Sequence, residues 1–203
     1  MRRLVVATAN KSKFKEIKKI LGKLPLGVNY LLDFERKPRI VENGKTFFQN
    51  AKKKAQAASS FYGALSLGED SGLEVVALDG RPGIFSSRFS GKGATDAKNI
   101  RKLLRELKGF PASQRRAAFV CSAVLMRKGK VVKSFQGRLS GSISASPRGS
   151  SGFGYDPVFY LPSLKKTLAQ LPIGKKNKLS HRYKAIFKVR KYLRNYLKKC
   201  KCL

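Results

Sequence analysis

From Ala117 to Met126 the chain runs apolar with no Gly, no Pro and no charge. Such a run has to be buried, and it falls well short of the roughly 18–20 apolar residues that a membrane-spanning helix needs. It reads as a central strand of a sheet covered on both faces. The rest of the chain supplies partners and covers for it. Arg3 to Thr8 is a compact β-branched run, and Val28 to Leu32 is a second β-like stretch. Ser12 to Leu21 has helical spacing, with Phe14, Ile17, Ile20 and Leu21 as its apolar positions. Thr46-Phe47-Phe48-Gln49 has the shape of a capping box and opens a helix reaching about Ser60. Leu73 to Leu78 reads as a strand and Asp79 to Gly83 as a turn. Asp96 to Leu107 is an amphipathic helix, and Gly129 joins the apolar run to Val131–Arg138 as a hairpin. Gly141 to Gly154 reads as a Ser/Gly-rich loop. Ser180 to Leu197 closes the chain as a helix with Ile186, Val189, Tyr192 and Leu193 on one face. Strands and helices interleave, with no repeat and no linker, so the class is α/β with a mixed sheet. The 203 residues suffice for one large domain or two closely packed lobes.

Hydrophobic residues make up 42% of the sequence, a folding composition despite an abnormal charge. Lys and Arg number 45 against 11 Asp and Glu, a formal net charge of +34. A surface of this kind attracts nucleic acid or anionic membrane through counterion release, whatever the fold was built for. The cations are spread along the whole chain, which predicts non-specific attraction to nucleic acid rather than a dedicated reading head. Met1-Arg2-Arg3 resembles a basic signal start but lacks a long apolar region and a cleavage site, so it reads as the approach to a first strand. Cys121 lies alone in the apolar run, with Cys200 and Cys202 at the tail. That is no disulfide framework, and the default is a reducing cytoplasm with no membrane partner.

In a chain so poor in acids each carboxylate asks for a reason. Gly68-Glu69-Asp70-Ser71-Gly72 puts two together at what reads as a loop-to-strand junction. Adjacent carboxylates repel, and a bound cation is the usual reason to tolerate them. Thr8-Ala9-Asn10-Lys11-Ser12-Lys13 forms the first strand-to-helix turn, where free backbone N–H groups and a lysine suit a phosphate. Ordinary helix capping explains Asn10 and Ser12 about as well, and the segment is neither a Walker loop nor a dinucleotide fingerprint. Gly152-Phe153-Gly154-Tyr155-Asp156 leaves an aromatic ring between two glycines, suited to stacking on a base, with a carboxylate beside it to accept from ring N–H groups. A Gly-rich turn around a core Phe is the plainer reading of the same residues. The only histidine, His181, stands beside Arg182 at a helix start, with Lys176 just upstream.

Taken in order, these segments resemble the inosine/xanthosine triphosphate pyrophosphatases over nearly the full length. The likeness rests on Thr8-Ala9-Asn10 with Lys13 and Glu16; Glu42-Asn43-Gly44-Lys45-Thr46-Phe47; Asn50-Ala51 with Lys54-Ala55; Asp70-Ser71-Gly72-Leu73; Gly80 to Arg88; Gly152 to Asp156; and Ser180-His181-Arg182. The resemblance implies one two-lobed α/β domain spanning 1–203, with a long mixed sheet flanked by helices and an active-site cleft between the lobes, working as a homodimer. It implies magnesium-dependent hydrolysis of ITP, dITP and XTP to the monophosphate and pyrophosphate. By the same likeness Asp70 is metal ligand and proton acceptor for the attacking water, and Glu42 a second metal ligand. Thr8, Ala9, Asn10, Lys11, Ser12, Lys13 and Ser71 would meet the phosphates. Phe153, Gly154, Tyr155, Asp156, Lys176, His181 and Arg182 would form the purine pocket, with Arg182 donating to a 6-oxo group.

The departures from that pattern run one way. Gln49, Lys175, Gln136 and Ser146 stand where the family usually has acids, and Glu69 where it has Asp. Gln49 matters most for metal affinity, because its position lies near the family's metal region. Three alternatives differ in class. A related-fold nucleotide pyrophosphatase with another base preference shares the chemistry, but the Ser-His-Arg segment tells against it. A basic nucleic-acid-binding protein fits the charge but not the order of acids and glycines. A lipid-anchored protein fits Cys200-Lys201-Cys202-Leu203 in form, with Lys201 against it.

Overall fold

The computed structural model describes residues 3–199, so Cys200 and Cys202, and with them the lipid-anchor pattern, lie outside the described residues. A seven-stranded sheet has the order β2-β1-β3-β4-β5-β6-β7. The strands are β1 (Arg3–Ala7), β2 (Gly27–Tyr30), β3 (Leu65–Val75), β4 (Arg116–Arg127), β5 (Lys130–Ile143), β6 (Phe159–Leu161) and β7 (Lys166–Thr167). β1 pairs in parallel with β2 and β3, while β6 pairs antiparallel with β5 and β7, so the sheet is mixed. Among the described residues five α-helices accompany it: α1 (Lys11–Leu21), α2 (Phe47–Tyr62), α3 (Asp96–Glu106), α4 (Ile173–Leu179) and α5 (His181–Lys199). Among the described residues no helix is long and apolar enough to cross a membrane.

The chain divides into two compact units. One comprises Met1–Asp70, Cys121–Gly137 and Arg182–Leu203, the other Ser71–Val120 and Arg138–His181. In the first, the strand period of two sorts side chains cleanly. Leu4, Val6, Leu67, Cys121, Ala123 and Leu125 point to the face covered by α1 and α5, where Ile17, Leu21, Ile186, Val189 and Leu193 are fully buried. The opposite face carries Val124 and Met126, which pack on Ala51 and Ala55 of α2. The second unit has its own core, built from Leu73, Leu103, Leu107, Phe119, Tyr155, Phe159 and Leu168.

The central strand and most elements fall where the sequence puts them, and three differences matter. First, β3 begins at Leu65, and Val76–Leu78 is a 3-10 turn, so Glu69 and Asp70 sit inside a buried strand rather than at its mouth. Gly-Glu-Asp-Ser-Gly has poor strand propensity, but parallel pairing of Leu65–Gly68 with β1 overrides it. Second, β5 continues to Ile143, taking the first residues of the expected loop. Third, β6, β7 and α4 are too short to show a period, and none is expected from the sequence. The expected capping box is half present: Thr46 Oγ1 accepts from Gln49 N at 3.1 Å, while Gln49 Oε1 accepts from Lys45 N at 2.6 Å instead of the cap residue.

One contact sets the depth of α2 on the sheet. A Cβ at Gly68 would lie 2.0 Å from the Ala51 carbonyl oxygen and 2.7 Å from Ala55 N, so helix and strand meet backbone to backbone. Gly68→Ala is therefore expected to lower the unfolding free energy by about 3 kcal/mol, since neither backbone can yield without moving the other. A urea unfolding midpoint within error of the parent's would disprove the close packing.

Candidate functional site

In the first unit a set of charged side chains converges around β3. Successive residues of a strand face opposite ways, so Glu69 and Asp70 do not share one cation; each has its own. Glu69 is 1% exposed and turns toward α1 and α5. Lys13 Nζ lies 3.0 Å from its Oε2, Arg182 donates from Nε to Oε1 at 3.2 Å, and Cys121 Sγ lies 3.4 Å from Oε1. Arg182 also donates from Nη1 to Glu16 Oε2 at 2.5 Å, so its guanidinium bridges two carboxylates. Burial would lower the Arg182 pKa, but Glu69 and Glu16 outweigh it and hold the charge on. Burial, reinforced by Glu69, pushes the Cys121 thiol well above its ordinary value, which keeps it an inert neutral donor.

Asp70 turns to the other face and meets α2. Lys54 Nζ donates to its Oδ1 at 2.9 Å and lies 2.6 Å from Glu42 Oε2, while Asn50 Nδ2 donates to Asp70 Oδ2 at 3.3 Å. Asn50 and Lys54 are four apart on α2, one turn, and therefore reach the strand together. Burial raises the Asp70 pKa, and Lys54 pulls part of that back. The same burial would lower Lys54, yet Asp70 and Glu42 leave it above its ordinary value. Asn50 Oδ1 in turn accepts from Gly44 N at 2.8 Å, which fastens the Glu42–Gly44 segment beside the carboxylate pair.

The turn into α1 keeps its sequence-expected shape. Asn10 is the N-cap, its Oδ1 accepting from Lys13 N at 2.9 Å, and its own N donates to Thr8 Oγ1 at 3.1 Å. Tyr30 Oη donates to the Ala9 carbonyl at 2.7 Å and props the turn. Ala9, Asn10, Lys11 and Ser12 are exposed, and no acid stands in the first turn of α1. The Lys13 ammonium is turned back to Glu69.

The second unit holds the rest. Phe153 is 40% exposed, the ring lying 4.9 Å from Lys176 Nζ. Its loop is tied at both ends of the ring: Phe153 N donates to Asp156 Oδ2 at 2.9 Å, and Gly154 N to Asp96 Oδ2 at 2.7 Å. Lys176 pairs with Asp156, both buried. Gly152 has φ of 92°, and a Cβ there would lie 2.2 Å from Asp156 Oδ2, so no other residue fits. Tyr155 is a core residue whose hydroxyl donates to the Ser86 carbonyl at 2.8 Å. His181 stacks on Phe119 at 4.8 Å and 11°.

The structure thus brings Glu42, Asp70, Lys13 and Arg182 together in one unit, and Phe153, Gly154, Asp156 and Lys176 in the other. Asp156 spends its carboxylate on the loop and on Lys176, not on an open face, and Arg182 spends two donors on acids. Asn50, Lys54 and Asp96 are site neighbours to which the sequence alone assigns no role. The i, i+4 spacing of Asn50 and Lys54 was the available signal for two of them; Asp96 offered none beyond being an acid in the first turn of a helix.

In this α/β chain paired carboxylates stand in the same unit as an exposed helix N-terminus without acids in its first turn, where backbone N–H groups can meet an anion. Its family follows from comparison: the model of the Ham1 family matches residues 4–192, and this chain belongs to that family. A dITP/XTP pyrophosphatase of Geobacter sulfurreducens is 47% identical, over 95% of this chain and 97% of its own length. A dITP/XTP pyrophosphatase of Halalkalibacterium halodurans is also 47% identical, over 95% and 100%. Among solved structures, a HAM1 protein from Coxiella burnetii superposes with a TM-score of 0.89 at 40% identity, covering 95% of this chain and 98% of that one.

The Glu69–Arg182–Glu16 bridge carries a test of its own. Arg182→Ala leaves Glu69 buried with less compensation and should cost about 3–5 kcal/mol of unfolding free energy. Arg182→Lys should recover only part of this, because a lysine has a single nitrogen where the planar guanidinium reaches Glu69 from Nε and Glu16 from Nη1. Equal stability of all three proteins in urea would mean that the bridge holds nothing.

Proposed function

We propose that this chain hydrolyses non-canonical purine nucleoside triphosphates, dITP, ITP and XTP, to the monophosphate and pyrophosphate. The observation that carries the proposal is the convergence of Glu42 and Asp70 on one ammonium, Lys54 Nζ, at 2.6 and 2.9 Å. Two carboxylates that already share a cation are a hard-oxygen donor set, and magnesium is ordinarily held by one or two carboxylates plus substrate phosphates. Among the described residues no group of three His, Cys, Asp or Glu converges, which suits that mode rather than a closed protein cage. Glu42 and Asp70 would hold the metal, which when bound neutralises phosphate charge and lowers the pKa of a bound water.

The chain's own residues do the rest. A water oxygen forms a bond to the α-phosphorus as the bond from that phosphorus to the bridging oxygen breaks, and pyrophosphate leaves. Asp70 Oδ1 or Oδ2 takes the water's proton; a carboxyl raised by burial is a better acceptor for it than an ordinary aspartate. The exposed turn Ala9–Ser12 offers backbone N–H groups to the phosphates, with Thr8, Lys11, Lys13 and Ser71 as side-chain partners. Phe153 stacks on the purine, and Gly154, Asp156 and Lys176 shape its place. His181 and Arg182 complete the selection for a 6-oxo group, Arg182 also positioning Glu69. A 6-amino purine would set donor against donor and leave buried groups unpaired, which rejects ATP. The proposal includes magnesium, a cytoplasmic setting and a homodimer.

The deciding measurement is pyrophosphate release from dITP, ITP, XTP, ATP and GTP, with and without magnesium, on the parent and on Asp70→Asn. Expected are turnover of the first three, little of ATP, and a loss of at least about a thousandfold in Asp70→Asn with nucleotide binding retained. Diphosphate and inorganic phosphate as products would overturn the reaction, and full activity of Asp70→Asn would overturn the assignment. Phe153→Ala should raise KM for dITP about tenfold or more while moving kcat less, as expected for a lost stacking partner. An unchanged KM would remove Phe153 from the base site.

A further inference from the structure

The acids of this chain are not distributed like its cations. From Leu107 to Leu203 the sequence contains a single acid, Asp156, against lysines and arginines throughout. Asp156 is buried in its pair with Lys176, so it offers no negative charge to that half of the surface. Within the first unit this acid-free part of the chain builds two packed elements. α5 is a 19-residue helix without Asp or Glu, about 28 Å long. The β4–β5 hairpin lies against it: Lys188 Nζ donates to the Gln136 carbonyl at 2.8 Å, Arg127 Nη1 to Tyr196 Oη at 3.2 Å, and Phe135 meets Tyr192 edge-on at 5.7 Å.

Lys184, Lys188, Lys191 and Lys198 recur every three to seven residues on α5, which places them on one side of the helix with Arg194 at its edge. All five are exposed. Beside them Tyr183 and Phe187 stack at 5.5 Å and 11°, and Lys191 Nζ lies 5.0 Å from the Phe187 ring. The aliphatic residues of the helix, Ile186, Val189, Leu193 and Leu197, are buried against the sheet. On the hairpin, Lys130 and Lys133 are exposed and continue the basic surface.

We infer that the outer face of α5, with the adjoining β4–β5 hairpin, is a binding surface for the phosphate backbone of nucleic acid. A row of lysines about 20 Å long, on a helix and hairpin that contain no acid, matches a polyanion of regular charge spacing. Flat aromatic rings among the cations suit bases. An anionic membrane fits less well, because α5 buries all its aliphatic side chains and the hairpin exposes only Val131, too little apolar surface to insert among lipid chains. The inference is independent of the catalytic reading, and it sharpens the expectation from net charge alone: attraction is localised rather than spread over the whole molecule.

The test compares two variants of equal net charge. One carries Lys184→Gln, Lys191→Gln, Arg194→Gln and Lys198→Gln on α5; the other carries Lys37→Gln, Lys92→Gln, Arg101→Gln and Lys108→Gln, exposed residues elsewhere. A labelled twenty-nucleotide polythymidine is titrated by fluorescence anisotropy at several salt concentrations. The α5 variant should bind at least about tenfold more weakly at 50 mM salt, and its slope of log K against log salt should shrink by about two to three. The control variant should change less than about threefold. A third variant, Lys130→Gln with Lys133→Gln, should weaken binding to an intermediate degree and guards against a folding defect particular to α5. Far-UV circular dichroism and unfolding midpoints confirm that each variant is folded. Equal losses in the α5 and control variants would overturn the localisation. Phosphatidylserine vesicles captured through α5 more tightly than the oligonucleotide would overturn the choice of partner.

Discussion

Everything around the candidate site depends on two consecutive carboxylates standing in a strand instead of a loop. In a loop Glu69 and Asp70 would face each other and would need one shared cation. In β3 the pleat sends them to opposite sides of the sheet, and each finds a different partner set: Lys13 and Arg182 for Glu69, Lys54 and Asn50 for Asp70. The sheet itself separates the like charges, so their repulsion is not the problem that the sequence suggests. Helices α1 and α5 are tied to one face by ion pairs and α2 to the other, so the strand is the member that coordinates three helices.

The sequence made the central strand, the first helix turn and the closing helix readable, because each has a long period or an unambiguous cap. Asn10 and Thr46 cap where small polar residues precede apolar spacing, and both do so in the structure. What could not be read was decided by partners distant in sequence. Glu69 and Asp70 are strand residues because β3 runs on from its pairing with β1 at Leu65–Gly68 and lies between β1 and β4 in the sheet, and no local property of Gly-Glu-Asp-Ser-Gly reveals that. Arg182 looks like an open donor in sequence, and only the fold shows that Glu16 and Glu69 take two of its N–H groups. Tyr155 is similar: flanked by glycine and aspartate it reads as a loop residue, yet its ring is part of a core.

Most of the few acids hold a cation. Glu16, Glu42, Glu69, Asp70, Glu74, Glu106 and Asp156 each make an ion pair, and Asp96 accepts a backbone N–H of the Phe153 loop. The pairs Arg138–Glu74 and Arg81–Glu106 lie at the surface and contribute little to stability. The buried ones differ, since removing either partner strands a charge in a medium that cannot hydrate it. The buried pairs are therefore the positions at which loss of an acid costs the fold most, while an acid in a surface pair can be lost at little cost.

The contact at Gly68 has a consequence for how this protein can change over generations. Because α2 rests on β3 through its backbone, the depth at which Asn50 and Lys54 reach Asp70 is fixed by a hard stop and not by the side chains on the helix's far side. Lys52, Lys53 and Gln56 are exposed there and can vary in charge without moving the inner row. The helix is thus free to drift on its outside while its inside stays in register. A lineage could recolour that surface from acidic to basic, residue by residue, and leave the spacing at Asp70 untouched.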